Sequence, residues 1–181
     1  MKISVITVCW NSEKTIETAF ASVRNQNYPE YEYIVIDGGS RDGTIALIKK
    51  WEPLFEGRMR WISERDEGMY DAINKGIKIA SGDVVGILNA DDFLSDDHVL
   101  ARVAQAFAHP IDALYGDIRF ISTEGLAPSS ESGEAEVNQQ LYQLRTAKTH
   151  RYYSAKKWQP WMLQWGYMPP HPSVYIRRDL F

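Results

Sequence analysis

The chain has 181 residues, with 24 acidic and 20 basic side chains and a formal charge of -4. It is sized for one domain, or one and part of another, and nothing in its overall charge draws it to nucleic acid. Its single cysteine, Cys9, excludes an internal disulfide framework and a zinc site built from several thiolates, and fits a reducing cytoplasm. No apolar run is long enough to cross a bilayer, and the amino terminus lacks the small-residue cleavage pattern of a secretory leader.

Residues 3–9, ISVITVC, are predicted as a strand that Asn11, Ser12, Glu13 and Lys14 stop. Ile16, Ala19, Phe20 and Val23 then recur at helical spacing, with Glu13 in the first turn and Arg24 in the last to match the helix dipole. Asn27-Tyr28-Pro29 closes that helix, and Tyr33 to Ile36 read as a second strand. The turn-rich stretch Asp37-Gly38-Gly39-Ser40-Arg41-Asp42-Gly43-Thr44 leads into a helix carrying Ile45, Ile48 and Trp51, which Pro53 should end. After a weaker strand over 60–63, Met69, Ala72, Ile73, Gly76, Ile77 and Ala80 form the best helical stripe in the chain. Ser81-Gly82-Asp83 ends it before the apolar run Val84 to Leu88. Ser95 is predicted to open a helix with Val99, Val103 and Phe107 on one side, and 113–116 to form a short strand before Asp117. This alternation favours a mainly parallel sheet with right-handed crossovers.

The texture changes after Ile121. Residues 122–140 are dominated by Ser, Glu, Gly, Pro and Gln and are predicted as a flexible loop or insertion. The segment 141–181 sets Tyr142, Tyr152, Tyr153, Trp158, Trp161, Trp165 and Tyr167 among Arg145, Lys148, Arg151, Lys156 and Lys157. Such a mixture suits stacking on sugars, contact with a lipid headgroup surface, or an ordinary packed flank with solvated lysine heads.

In a parallel sheet the residues following successive strands share one edge. Asn11 and Ser12, then Asp37, then Asp91 and Asp92 therefore line the rim where open α/β sheets bind ligands, and a nucleotide could span them. Two adjacent carboxylates are easiest to sustain beside a hard divalent cation that also holds phosphate oxygens. The alternative for this stretch is that Asp92, Ser95 and Asp96 merely cap and charge the next helix.

Four blocks, ITVCWNSEKTI, QNYPEYEYIVIDGGSRDGT, DEGMYDAINKGIKIASGD and VVGILNADD, resemble in order and spacing those of the family 2 glycosyltransferases, which have the GT-A fold. The resemblance implies an α/β nucleotide-sugar-binding core over 1–121, its mainly parallel central sheet covered by helices on both faces. The segment 141–181 would begin an acceptor-side half that is incomplete, since the chain stops at Phe181 in what reads as the opening of a helix. By match, the nucleobase and ribose pocket falls on Thr7, Asn11 and Asp37. The divalent metal, Mn2+ or Mg2+, falls on Asp92 as direct ligand, with Asp91 at the ribose or a metal-bound water. The implied reaction carries a sugar from a nucleotide diphosphate sugar donor to a hydroxyl of a saccharide or lipid-linked acceptor, with inversion. Its expected setting is bacterial-type polysaccharide or glycolipid synthesis in the cytoplasm, at the inner face of the membrane, with peripheral membrane contact through the aromatic and basic segment and no nucleic acid partner.

The chain departs from the family pattern in ways that shift roles. Gly38 stands where a second acid is common, Asn89 where an acid often opens the metal motif, and Ile73 where many members have Arg. Arg65 and Asp66 are the candidates to line the donor site instead. The base expected from the second half is unidentified: Asp117 is the best acid still present, though it is equally suited to ending its strand. His171 is a candidate contact to acceptor or phosphate, or else a structural hydrogen-bonding group. Two other functions fit parts of the pattern. A non-catalytic nucleotide-sugar-binding domain would account for the missing base, whereas a nucleotidyltransferase would need a glycine-rich basic loop where Trp10-Asn11-Ser12-Glu13 stands.

Overall fold

The computed structural model describes residues 1–122, 133–165, 169 and 171–181; Tyr167 lies outside them. Strands β1 (Ile3–Cys9), β2 (Tyr31–Asp37), β3 (Met59–Ser63) and β4 (Val84–Ile87) run parallel, in the order β3-β2-β1-β4. The sheet continues through β8 (Val174–Arg177) to β5 (Ala113–Tyr115), with β8 antiparallel to both its neighbours. A separate two-stranded sheet pairs β6 (Ile118–Ile121) with β7 (Thr149–Tyr153).

Both faces of β1 and β2 are buried, so neither strand alternates polar with apolar residues. Val5, Cys9, Tyr33 and Val35 join one core layer, under α1 (Ile16–Arg24), α2 (Thr44–Trp51), α4 (Val99–Ala106) and α5 (Glu134–Thr146). Ile6, Val8, Ile34 and Ile36 join the other, with Ala72 and Ile73 of α3 (Met69–Ile79). The helices expected near 16–24, 44–51 and 69–80 form as read, and Pro53 falls in the short 3-10 turn that follows α2.

Three elements differ from the sequence reading. The helix expected from Ser95 begins only at Val99, because Asp96 accepts from the His98 amide at 2.8 Å and from Arg102 at 2.8 and 3.0 Å, which fixes a turn ahead of it. Of the expected loop over 122–140, residues 123–132 lie outside the described residues, while 134–140 form the first half of α5. The Glu136 carboxylate accepts from the Gly133 amide at 3.1 Å, while Val137, Leu141 and Leu144 bury one stripe, so α5 docks beside α1 through Arg24–Glu134 and Asn25–Asn138. The carboxyl-terminal segment adds a strand that was not expected, β8, as the β-branched and aromatic run Val174-Tyr175-Ile176 favours, and only after it does the chain turn helically, over Arg178–Leu180, where a helix was expected to open. Gly86 receives β8: a Cβ there would lie 2.2 Å from the Tyr175 ring, so the absent side chain is the space the ring fills.

At the opposite end of the strands Glu32 is buried and accepts from Ser4 at 2.6 Å, the Ser81 amide at 2.6 Å, Lys2 at 3.0 Å and Arg60 at 2.8 Å. Burial opposes its charge, but the Ser4, Ser81 and Lys2 bonds overcome that opposition and hold its pKa at about 2 against an ordinary 4.5. A depressed folded-state pKa gives stability that is present above pH 4.5 and is lost as pH falls through that value toward 2. Allowing for solvent around the half-exposed Lys2 and Arg60, the contribution is on the order of 2 kcal/mol. Thermal unfolding of Glu32→Gln should therefore show a lower midpoint than wild type at neutral pH and a difference that shrinks near pH 3. An equal gap at both pH values would contradict the assignment.

Candidate functional site

The carboxyl ends of the four parallel strands open onto one rim, and hydrogen bonds zip the first two loops there together. The Asn11 amide donates to Ser40 Oγ at 2.7 Å, the Ser12 amide to Thr44 Oγ1 at 2.8 Å and the Glu13 amide to Asp42 Oδ2 at 3.1 Å. In return Asn11 Oδ1 accepts from the Arg41 amide at 2.9 Å and Glu13 Oε2 from the Gly43 amide at 2.7 Å. Asn11 holds φ at 51°, a left-handed conformation that asparagine tolerates better than most residues.

Two residues expected at the nucleotide stand behind this rim. Thr7 is fully buried and its hydroxyl bonds that of Tyr33 at 2.8 Å, on the face of the sheet that packs under α1 and α2. Asp37 is also fully buried. Its carboxylate accepts from the amides of Gly39 and Ser40 at 3.1 and 3.0 Å, from the Ser63 hydroxyl at 2.6 Å, and from the hydroxyl of Ser40. The Cys9 thiol donates to it at 3.7 Å, and burial, reinforced by Asp37, pushes that thiol's pKa up and keeps it protonated. Both side chains are thus engaged within the protein, and Asp37 orders the loop that follows β2.

In front of that loop lies a cavity of about 1060 Å³, lined among others by Trp10, Asn11, Gly38, Arg65, Asp66 and Met69. Asp66 takes the room that the missing second acid would need: a Cβ on Gly38 would lie 2.6 Å from Asp66 Oδ2. The carboxylate also accepts from the Gly68 amide at 2.9 Å, so it is held at the rim by the turn that starts α3. The first turn of α3 lines the same cavity through Gly68, Met69 and Ala72, presenting the positive end of its dipole. Trp10, 68 % exposed at this rim, was not singled out in the sequence; its signal was an aromatic placed where a buried strand ends.

Asp91 is exposed and Asp92 half-buried, and Asn89 joins Asp92 to His171. The Asn89 amide donates to Asp92 Oδ2 at 2.9 Å, and its oxygen lies 3.2 Å from His171 Nε2. An amide oxygen can only accept, so that bond puts the proton on Nε2 and leaves Nδ1 with a lone pair in the neutral ring. Burial, and next the charge of Asp91, raise the pKa of Asp92. Helix capping does not explain Asp92, because α4 starts seven residues later and the turn before it is held by Asp96.

Among the described residues no group of three His, Cys, Asp or Glu side chains converges to hold a metal. Two neighbouring carboxylates nevertheless fit Mn2+ or Mg2+, which bind through one or two carboxylates and complete their shells with phosphate oxygens and water. The oxygen-rich set of Asp91 and Asp92, with Asn89 beside it, matches that chemistry.

A second cavity of about 1000 Å³ opens on the other side of the pair, lined by Asp92, Leu88, Val103, Asp117, Phe120 and Tyr152 among others. Lys14, Thr15 and Asp91 line both cavities, so the two meet there. Among the described residues, Asp117 is the only acid besides the pair in the second lining. It accepts from the Tyr152 hydroxyl and from the Ala155 amide at 2.8 Å, and these bonds, the tyrosine's first, lower its pKa.

The glycosyl transferase family 2 model matches residues 4–180. An uncharacterized glycosyltransferase of Mycobacterium tuberculosis is 40% identical over 117 residues, 63% of this chain and 44% of that protein. A PGL/p-HBAD biosynthesis glycosyltransferase of Mycobacterium bovis is 33% identical over 122 residues, 66% of this chain and 48% of its own length. The chain thus spans about half the length of the curated relatives it matches. Among solved structures, the mannosyltransferase PcManGT of Pyrobaculum calidifontis, in complex with GDP-Man and Mn2+, superposes with a TM-score of 0.61 at 25% identity, over 66% of this chain and 36% of that one. TarS 1–349 of S. aureus with UDP-GlcNAc gives 0.58 at 29% identity, over 64% and 34%. The α/β fold with its mostly parallel sheet is the GT-A fold of these glycosyltransferases.

The crowding of Gly38 against Asp66 gives a direct test. Asp66→Ala should weaken binding of a nucleoside diphosphate by about 10-fold or more, the worth of a hydrogen bond to a charged group. Gly38→Ala should weaken it by displacing the same carboxylate, and the double variant should be no worse than Asp66→Ala. Additive losses in titration calorimetry would show that the two positions act separately.

Proposed function

As the chain belongs to glycosyl transferase family 2, we propose that it carries the donor half of a metal-dependent, inverting glycosyltransferase. In this reading a nucleoside diphosphate sugar occupies the cavity between Trp10 and Asp66 and an acceptor hydroxyl enters from the second cavity. The observation that carries the proposal is the meeting of the two cavities at Asp91, beside Asp92. Two substrates that approach one point from separate sides have the arrangement a single displacement with inversion needs.

The nucleobase lies against Trp10, with Asn11 and the loop that Asp37 anchors as the floor of its pocket. Asp66 accepts from base or ribose donors in place of the acid absent at position 38. Asp92, with Asp91, would hold the divalent cation, which when bound supplies positive charge to the departing diphosphate. Asn89 fixes the orientation of the Asp92 carboxylate, and His171, tied to the same amide, stands at the acceptor or phosphate side. Lys14, exposed between the cavities, adds positive charge where the diphosphate would leave.

We assign no general base to this chain. A base is most effective when its pKa is raised toward working pH, whereas the bonds from Tyr152 and Ala155 move Asp117 the other way. Those bonds make Asp117 the tie between β6 and the turn after β7. The relatives bound to GDP-Man and to UDP-GlcNAc support a nucleotide diphosphate sugar as donor, and a relative in PGL/p-HBAD biosynthesis supports a glycolipid or polysaccharide setting with a saccharide or lipid-linked acceptor.

Calorimetric titration of UDP and GDP with and without Mn2+ tests the reading. One diphosphate should bind at least about 10-fold more tightly with Mn2+, and Asp92→Ala should remove that gain while leaving the thermal midpoint near wild type. Binding that ignores both the metal and the substitution would refute the assigned role of Asp92.

A further inference from the structure

At the rim of the first cavity two polar groups stand side by side with bonding capacity left over. Asp66 accepts from the Gly68 amide through Oδ1 at 2.9 Å, while its Oδ2, the atom a Cβ on Gly38 would meet, has no hydrogen-bond partner among the described residues. The neighbouring Arg65 is exposed and lines the same cavity, and among the described residues its guanidinium has neither a hydrogen bond nor an ion pair. The turn that carries both lies against the loop after β2, where a Cβ on Gly39 would come 3.6 Å from the Arg65 nitrogen. It is braced from α3: Lys75 donates to the Arg65 carbonyl at 3.2 Å and pairs with Glu64 at 3.0 Å. Backbone and Lys75 thus hold the turn in place, and the Arg65 fork and Asp66 Oδ2 are left for a ligand.

In the sugar-transfer reading, on which this inference rests, the nucleobase lies against Trp10 and meets Asp66, and we infer that this base is guanine. A carboxylate only accepts hydrogen bonds. Of the four common RNA bases, guanine alone places two donors side by side on its pairing edge, N1–H and the N2 amino group. Uracil sets a single donor, N3–H, between two carbonyls, and adenine and cytosine set an amino group beside a bare ring nitrogen. Against any of those three, one carboxylate oxygen meets a donor while the other faces a lone pair that repels it. Beyond N1, guanine presents the acceptors O6 and N7, the pair that a guanidinium fork fits. An acid and an arginine adjacent in the chain and lining one cavity therefore match the groups of guanine in their order round the ring: N2, N1, O6, N7. Trp10 offers a stacking face to any base, and a cavity of about 1060 Å³ admits the larger ring system.

Calorimetric titration of the full chain with GDP, UDP, ADP and CDP in the presence of Mn2+ tests the choice of base. GDP should bind at least about 10-fold more tightly than each of the others, the discrimination expected of a paired contact to one base. Two analogues then read the contacts singly on the wild-type chain. IDP, which lacks only the N2 amino group, should bind about 10-fold less tightly than GDP, the worth of a hydrogen bond to a charged group. 7-Deaza-GDP, with C–H in place of N7, should also bind less tightly. Asp66→Ala should bind GDP and IDP alike, and Arg65→Met should bind GDP and 7-deaza-GDP alike, both with a thermal midpoint near wild type. If either variant fails to fold, the analogues on the wild-type chain decide. UDP, ADP or CDP binding as tightly as GDP, either analogue matching GDP on the wild-type chain, or a folded variant that keeps its distinction would each overturn the choice of guanine. Tighter binding of UDP with Mn2+ would overturn it and leave the sugar-transfer reading standing, whereas a chain that binds none of the diphosphates would bring down both.

Discussion

The buried carboxylate of Asp37 is the interaction on which the ligand-facing rim depends. A carboxylate with no solvent contact is tolerated only when donors satisfy it, and here they come from three segments: Cys9 at the end of β1, Gly39 and Ser40 in the following loop, and Ser63 at the end of β3. The group therefore ties three strand ends into one relative position. With that loop fixed, Ser40, Asp42 and Thr44 can receive the amides of Asn11, Ser12 and Glu13. The floor of the first cavity is thus built mainly of backbone held by short polar side chains.

On that scaffold the acidic groups divide their work by burial. Asp37 is inside and positions, Asp66 fills the slot beside Gly38 and faces the first cavity, and Asp91 and Asp92 stand where the two cavities meet. Asp117 is drawn off by Tyr152 and the Ala155 amide. The same residue type thereby serves as anchor and strand tie, and in the proposed function as ligand contact and cation site, according to which donors the neighbouring backbone offers.

The central strands and the rim they share were legible in the sequence, because β1, β2 and β4 are short apolar runs bounded by polar or glycine-rich stretches. Which way a side chain leaves such a strand was not. In a strand buried on both faces nothing alternates, so the motif position of Thr7 and Asp37 carried no sign that Thr7 turns toward Tyr33 and Asp37 inward. The helical stripe Val137, Leu141, Leu144 was present but submerged in a polar composition, since α5 buries only that narrow stripe. The antiparallel insertion of β8 between β4 and β5 is a long-range pairing, made possible by a space at Gly86 that only the packed structure reveals. Asp66 was legible as a candidate for the donor site, but its closeness to Gly38 needs the β2 and β3 loops side by side before it can be seen.

In the proposed function a divalent cation joins the Asp91–Asp92 pair to the diphosphate of a nucleotide in the first cavity. Electron-nuclear double resonance on this chain with Mn2+ and UDP or GDP reads that contact at the atoms concerned. Phosphorus coupling to the manganese, with loss of the protein-bound signal in Asp92→Ala, is the predicted result. A protein-bound manganese signal without phosphorus coupling, or one that survives the substitution unchanged, would contradict it.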